Sequence, residues 1–362
     1  MTAPATLACR RWGAAVLKTA PVTRSLARLP GRGAVVLRYH SVNDDPVWAR
    51  ECVQWSLVVP PRVFDAQVAF LKERHAIVTM DEIVTAMKAG RNPDRRWIAI
   101  TFDDGYEDNY RHALPILTKH GVRATFYVTT GAVGDAAPLW TVDLRRAVMR
   151  ARGPRLPISV AGGGPLDIST EEARELAVRD LTGRIKRSAA PRALALLEEI
   201  QRAADALGDT GTRVMMSWDE IRGMRAAGMT VGAHGVRHLN LPSLSDADLG
   251  SEVRGSKDAL EGALDECVAH FAYPNGRTDC HCDARVASVV AAAGFVSAST
   301  SVRGPASSQY SPYGIPRLGV YRRHDDLGRL EADIQRARLA PRADRQIEEI
   351  ARAMGAGGGG RP

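Results

Sequence analysis

The sequence predicts an α/β fold built on a buried parallel sheet, either a βα-barrel or a doubly wound sheet. The apolar runs are too continuous for half-exposed strands, and helical patterns alternate with them along the 362 residues. In addition, several of these runs are followed directly by polar side chains capable of chemistry. Barrels and wound sheets place their active sites at such carboxyl-terminal strand ends.

Eight apolar or β-branched runs are the strand candidates. In chain order they cover residues 34–39, 77–80, 97–102, 124–129, 230–233, 270–273, 295–298 and 315–321. Helical patterns lie between them at residues 61–74, 81–89, 106–120, 218–227, 245–264 and 283–293. Ser217 followed by Glu220 predicts a capping box, and Ser245 predicts a second helix start.

One segment interrupts this alternation. Residues 133–215 contain a Gly/Pro-rich patch and a long helical pattern from about 170 to 207. Because the segment lies between two strand candidates, it predicts a helical insertion beside the site, either peripheral or shaping the substrate site. The predicted domains are a basic arm (1–33), the α/β domain (34–330) and a helical, Gly-rich tail (331–362).

The composition excludes several classes of protein. A hydrophobic content of 45% suits a large core, and five cysteines are too few for a disulfide framework. Seven basic residues and no acid lie in residues 1–43, so the net charge of +8 is almost entirely local. We therefore expect no nucleic-acid partner, but weak contact of the arm with anionic membrane surfaces. The lack of a recognisable signal peptide predicts a cytoplasmic or membrane-peripheral protein, with export left open.

Four polar residues at strand ends predict a metal centre. Asp103 and Asp104 follow one strand candidate, and His234 and His238 follow another. One carboxylate and two neutral imidazoles suit Zn²⁺ with a position left open for water. Adjacent side chains on a turn point in different directions, so one carboxylate can bind the cation while the other acts as a base.

Three motifs resemble a known family. The sequences Thr-Phe-Asp-Asp-Gly at 101–105, His-Gly-Val-Arg-His at 234–238 and Phe-Ala-Tyr-Pro-Asn-Gly at 271–276 resemble the first three motifs of the NodB-homology polysaccharide deacetylases, carbohydrate esterase family 4. The resemblance runs from about residue 34 to 321. It implies a distorted (β/α)7 barrel that holds one divalent metal, usually zinc, and hydrolyses an N-acetyl or O-acetyl group on a sugar.

The resemblance also implies roles for individual residues. Asp104, His234 and His238 match the metal ligands, and Asp103 matches the general base. The metal would lower the pKa of a bound water and polarise the acetyl carbonyl, while Asp103 takes the proton of the water.

Further residues are matched to the substrate. Tyr273, Pro274 and Asn275 match the segment that walls the acetyl pocket and supplies a backbone N–H to the oxyanion. Trp140 is a candidate platform on which a sugar ring could stack. Asn109 is expected to stabilise the start of the helix that follows it.

The sequence departs from the usual family pattern at two positions. Ala272 replaces the usual arginine of the third motif, so Arg317 is the candidate partner of the base. No histidine stands in residues 318–322, where the usual fifth motif supplies the acid. The segment around His40 instead resembles a subgroup that includes the exopolysaccharide poly-N-acetylglucosamine deacetylases, in which an N-terminal histidine is the acid.

The leading prediction is a metal-dependent deacetylase acting on an acetylated amino sugar in a polysaccharide or glycolipid. A metal-dependent hydrolase of non-peptide C–N bonds in a small molecule is the alternative enzyme. A non-catalytic carbohydrate-binding protein is the third hypothesis, and the complete set of Asp103, Asp104, His234 and His238 argues against it.

Overall fold

The computed structural model describes residues 33–135, 139–156, 165–205, 213–276, 281–340, 348–350, 352 and 354. These residues form the strands β1 (Val35–Tyr39), β2 (Ser41–Val42), β3 (Val58–Val59), β4 (Ala76–Ile77), β5 (Trp97–Phe102), β6 (Thr125–Val128), β7 (Arg155–Leu156), β8 (Leu166–Asp167), β9 (Thr230–Ala233), β10 (His270–Ala272), β11 (Ser297–Ser299) and β12 (Leu318–Gly319). The helices are α1 (Pro46–Glu51), α2 (Pro61–Arg74), α3 (Met80–Lys88), α4 (Leu114–Lys119), α5 (Trp140–Arg150), α6 (Glu171–Arg187), α7 (Ala190–Asp205), α8 (Trp218–Ala226), α9 (Asp246–Leu264), α10 (Ala284–Ala292) and α11 (Leu327–Arg338).

Eight of the strands form one curled, parallel sheet. The order along its main path is β11-β10-β9-β6-β5-β1-β12, and β4 pairs with the start of β5. A parallel bridge from Ser299 to Ile315 links β11 to the segment before β12. Each strand candidate from the sequence overlaps one of these eight strands, so the predicted α/β fold with a parallel sheet is confirmed. The two-residue strands β2, β3, β7 and β8 were not predicted.

An aromatic layer fixes the carboxyl ends of the central strands. The ring of Phe102 stacks on Phe126 at a centroid distance of 4.7 Å and on Tyr39 at 5.3 Å. Phe64 from α2 meets Tyr39 and Phe102 edge-on at 5.2 and 5.6 Å. Offset and edge-to-face pairs are the favoured aromatic geometries, and these rings are buried. They therefore hold β1 and β5 in register one residue before His40 and Asp103.

The helix starts follow local chemistry. The predicted capping box at α8 is confirmed, since the Ser217 hydroxyl accepts from the Glu220 N–H at 3.3 Å and the Glu220 carboxylate accepts from the Ser217 N–H at 2.8 Å. Ser245 caps α9 by accepting from the Asp248 N–H. The predicted helix at 106–120 begins at residue 107, and a π-helical turn at Asn109–Ala113 leads from its first residues into α4.

Between β6 and α8 the described chain forms α5, the paired strands β7 and β8, α6 and α7. Leu144, Leu181, Leu196 and their neighbours give this region a hydrophobic cluster of its own. The single helix predicted from about 170 to 207 is instead two, because the backbone at Ser188 is extended and Pro191 fits only the first turn of a new helix.

Two predicted terminal segments lie outside the described residues, namely the basic arm, apart from Gly33, and the Gly-rich run at 355–360. The predicted boundary at residue 330 falls inside α11, whose Leu330 and Ile334 are buried in the main core. In the described part of the chain, no helix combines the length and apolarity needed to cross a membrane.

Candidate active site

Residues that follow three strands of the sheet, β1, β5 and β9, line one cavity of about 380 Å³. Asp103 and Asp104 follow β5, His234 follows β9 and His40 follows β1. His238 and Asn275 also line the cavity, as do residues of α5 and α6 such as Lys186. The structure therefore brings together residues that the sequence separates by up to about 235 positions.

Asp104, His234 and His238 form a cluster suited to a metal ion. All three are buried, and one ligand atom from each lies within 4.8 Å of the others. Both imidazole Nε2 atoms are 3.5 Å from Asp104 Oδ1, which is too long for a good hydrogen bond. Tetrahedral ligands at metal distances near 2.05 Å stand about 3.3 Å apart, so the spacing fits a shared divalent ion. No other such cluster occurs in the described residues.

Hydrogen bonds behind the ligands fix their donor atoms. His234 Nδ1 lies 2.7 Å from the Ala272 carbonyl oxygen, so Nδ1 carries the proton and Nε2 keeps its lone pair toward the cluster. The Tyr106 hydroxyl is hydrogen-bonded to Asp104. Burial lowers the pKa of His238 to about 3, so this ring is neutral, as a ligand must be.

A buried carboxylate holds the loop that carries both histidines. Glu252 in α9 accepts the N–H groups of Val236 and Arg237 at 3.0 and 2.9 Å and the Arg237 side chain at 2.7 Å. Glu252 was not singled out from the sequence. The sequence feature that could have identified Glu252 is its position on the buried face of α9, the face that also carries Leu249 and Val253.

The backbone of the site is strained at the functional positions. Asp104, His238 and Asn275 have φ angles of 79°, 57° and 64°, in the left-handed region that side-chain-bearing residues rarely adopt. Gly105 follows with φ 88°, where its lack of a Cβ removes the steric cost. Such strain persists where the surroundings hold it, and it turns Asp104 away from Asp103 toward the histidines.

Asp103 faces a different partner. The Arg317 guanidinium donates to both of its oxygens, Nη1 to Oδ1 at 2.6 Å and Nη2 to Oδ2 at 2.8 Å. Arg317 is itself held by the Thr300 carbonyl at 2.8 Å and lies over the Tyr127 ring. Burial alone would raise the pKa of Asp103, but the charge and hydrogen bonds of Arg317, together with smaller contributions from His234 and His40, outweigh it and lower the pKa to about 2. Asp103 is therefore ionised and oriented at neutral pH.

His40 lies on the same cavity without a fixed ring partner. Burial lowers the pKa of His40 to about 4, although the Asp104 charge opposes the shift. Its Nδ1 is buried, and none of the described residues hydrogen-bonds to it. The ring is thus neutral at neutral pH.

The residues predicted to contact substrate occupy different places. Asn275 lines the cavity, and its buried Nδ2 has no partner among the described residues. Tyr273 is in the core, where its hydroxyl donates to the Tyr313 carbonyl at 2.8 Å, and the Pro274 ring packs near Gly235. Trp140 lines adjoining cavities and is only 8% exposed, with Nε1 donating to the His238 carbonyl at 3.0 Å. This placement supports His238 and does not favour the stacking role predicted for Trp140.

Comparisons with known proteins identify the family. The family model for polysaccharide deacetylase matches residues 90–156 and 181–298, just over half of the chain. The protein YxkH of Bacillus subtilis (strain 168) is 32% identical over 113 residues, which cover 31% of this chain and 36% of YxkH. The poly-beta-1,6-N-acetyl-D-glucosamine N-deacetylase of Staphylococcus aureus (strain MSSA476) is 38% identical over 73 residues, or 20% of this chain and 25% of that protein.

A solved structure shares the fold over a longer range. The Streptococcus pyogenes deacetylase PplD in complex with acetate matches with a TM-score of 0.54 at 18% identity, covering 86% of this chain and 100% of PplD. The two curated relatives, by contrast, are matched over about a third and a quarter of their own length. The family model spans Asp103, Asp104, His234 and His238, the four residues on which the cavity is centred. The chain belongs to the polysaccharide deacetylase family.

Proposed function

We propose that this protein is a metal-dependent deacetylase that hydrolyses N-acetyl groups, with O-acetyl groups as a second substrate class, on an amino sugar of a polysaccharide or glycolipid. One observation carries the proposal. Two adjacent buried carboxylates have separate partners, Arg317 for Asp103 and two imidazoles for Asp104. That division supplies a base and a metal site in the same cavity.

Asp104, His234 and His238 would hold the ion, with zinc the first choice for two nitrogen donors and one oxygen donor. When bound, a divalent ion there would lower the pKa of water and polarise the acetyl carbonyl. The surroundings prepare these side chains for an ion. The neighbouring imidazoles lower the pKa of Asp104 despite its burial, and His234 is held in the required tautomer by Ala272.

Asp103 is the proposed general base. Its carboxylate is ionised and held by two parallel hydrogen bonds from Arg317, so it presents lone pairs in a fixed direction. It takes a proton from the attacking water as the water oxygen bonds to the acetyl carbon. Arg317 thereby performs the task that Ala272 leaves open in the third motif.

His40 is the proposed general acid. An amide nitrogen leaves only if it is protonated, and the proton removed from water is available within the same cavity. Because the His40 ring begins neutral, it must gain that proton before it gives it to the leaving nitrogen. The second hydrogen of the water stays on the new carboxyl group, so the products are the amine and acetic acid, which then ionises to acetate.

Asn275 is the proposed wall of the acetyl pocket. Its unpartnered Nδ2 supports a contact with the acetyl oxygen, beside the backbone N–H expected from the third motif.

The seven-strand path of the sheet supports the distorted (β/α)7 barrel implied by the motifs, with residues 133–215 as its helical insertion. His40 supports membership in the subgroup with an N-terminal acid.

Acetate release tests the proposal directly. The zinc-loaded full chain would be incubated with β-1,6- and β-1,4-linked N-acetylglucosamine oligomers, acetylated xylan and a nucleotide-linked N-acetyl sugar. We expect release from at least one oligomer, abolished by chelation and restored by zinc. Activity on small C–N substrates alone would favour the alternative hydrolase, and no release from any substrate would contradict the proposal.

A further inference from the structure

A buried polar network lies directly behind His40. Asp108 is fully buried, and its carboxylate accepts the Ser41 hydroxyl, the Val42 N–H and the Asn43 side chain. These three residues immediately follow His40 in the sequence. The carboxylate of Asp108 therefore holds all three residues that follow His40, the candidate acid.

Asn109 joins the network to His40 itself. Its Nδ2 donates to the His40 carbonyl at 2.7 Å and to Asp108 Oδ1 at 2.8 Å. Trp48 Nε1 donates to the Ser41 hydroxyl at 3.3 Å, so Ser41 is held from both sides. Asn109 thus binds the segment that follows β1, which differs from the helix-start role expected from its sequence position.

The backbone around His40 is fixed on both sides. Tyr39 is paired with Phe102 in the sheet, and the Asp103 N–H donates to the Tyr39 carbonyl at 3.1 Å. Ser41 begins β2, which pairs with β3. His40 is the single residue between these two pairings. Because no described residue holds its Nδ1, the direction of the ring depends on this backbone.

The network is costly to keep. Burial raises the pKa of Asp108 to about 7, so the folded protein tolerates a carboxyl group that a well-packed apolar residue could replace. The same turn departs from regular helix, since Asn109 opens a π-helical turn, a feature often found at functional sites. Stability alone does not account for this arrangement.

We propose that Asp108 and Asn109 are positioning residues, which hold the backbone of His40 to Asn43 so that the His40 ring faces the leaving nitrogen. The proposal rests on the proposed function of His40 as the acid. It assigns Asp108 no contact with substrate or metal.

The test compares an amide substrate, whose leaving nitrogen must be protonated, with an ester substrate, whose leaving group needs no proton. For the zinc-loaded full chain, Asp108→Asn should lower kcat on a β-1,6-linked N-acetylglucosamine oligomer by about 10- to 100-fold with KM unchanged, because the acid is misplaced. Turnover of 4-nitrophenyl acetate should change by less than about 3-fold, since 4-nitrophenolate needs no acid. Asn109→Ala should show the same pattern.

A matched control and a double-mutant cycle exclude a merely structural effect. Asp81→Asn makes the same exchange at a carboxylate that lies 2.9 Å from His270 Nε2, at the opposite end of the sheet. This variant should leave the amide-to-ester ratio of kcat unchanged. In a His40→Ala background, Asp108→Asn should have less than about 2-fold further effect, because the positioned group is gone.

Equal losses on both substrates, or a full effect of Asp108→Asn without His40, would overturn the proposal. Inactivity of the wild type on every acetamide would instead reject the proposed function. Crystal structures would still decide the positioning claim in that case. We expect one His40 ring orientation in the wild type and a displaced ring in Asp108→Asn, and an unmoved ring would refute it.

Discussion

The two sides of the cavity are built from different parts of the chain. On the metal side, Asp104, His234 and His238 belong to short motifs inside the segments that match the family model. On the proton-transfer side, Asp103 is also inside them, but its partner Arg317, 214 residues away, and His40 are outside. The sheet unites them because β1 lies between β5 and β12. The proposed metal ligands can therefore be identified from local motifs, whereas the proposed acid His40 and the Arg317 partner of the proposed base are brought to the site by the topology of the sheet.

Removing a metal ligand should have the largest effect. His234→Ala takes away one of three donors, so zinc binding and acetate release should both fall to background. Elemental analysis of the purified variant measures the first and an acetate assay the second. His270→Asn is the matched control, since His270 is equally buried but bonded to Ser297 and Asp81, and it should keep its zinc. Full zinc occupancy in His234→Ala would refute the assignment.

Replacing Asp103 and Asp104 one at a time should separate the function of the base from that of the metal ligand. Asp103→Asn should retain zinc and lose about 10²-fold or more in kcat, because only the base is removed. Asp104→Ala should instead lose zinc. Metal content and kcat, measured on both variants, check the division. Loss of zinc to the same extent in both would show that the adjacent acids share one role.

Removing Arg317 should move the pH dependence. The folded pKa of Asp103, about 2, lies below its ordinary 3.8, so its charge stabilises the fold above that value and the contribution disappears as the pH falls toward 2. Arg317→Met removes the group that does most to offset burial, so this pKa should rise. We expect kcat/KM to decline on acidification between pH about 8 and about 5, where the wild-type base stays ionised.

A folded, zinc-containing Arg317→Met preparation, checked by circular dichroism and elemental analysis, is required for that comparison, because an unpaired buried carboxylate destabilises the protein. An unchanged acid limb would mean that Arg317 does not control the base.

The smallest expected effect concerns the predicted basic arm, residues 1–33. Six basic residues and several apolar ones should give weak binding to vesicles containing anionic lipid. Co-sedimentation of the full chain and of a variant without residues 1–33 measures it. Equal binding of the two proteins would reject the prediction and, with it, the support for a membrane-peripheral location.

Much of the fold was predictable because its signals are local. The apolar runs gave the strands, and Ser217 with Glu220 gave the start of α8. The break at Ser188 was missed because helical composition continues on both sides of it. The short strand pairs were missed because two residues carry no periodicity.

The site was predictable in part for the same reason. Asp103 and Asp104 are adjacent and follow a strong strand signal, whereas the contact between Asn109 and His40 exists only after β1 and β5 pair. The role of Glu252 could not be predicted without knowing which face of α9 is buried. Burial of Trp140 likewise depends on the packing of α5 beside the histidine loop.

The most direct test of the account is the amide-to-ester ratio of His40→Ala. The zinc-loaded variant should fold, keep its metal and lose about 10²-fold or more in kcat on a β-1,6-linked N-acetylglucosamine oligomer. On 4-nitrophenyl acetate it should lose less than about 3-fold, because that leaving group needs no proton. Equal losses on the two substrates would contradict the division of the cavity into a metal side and a proton-transfer side.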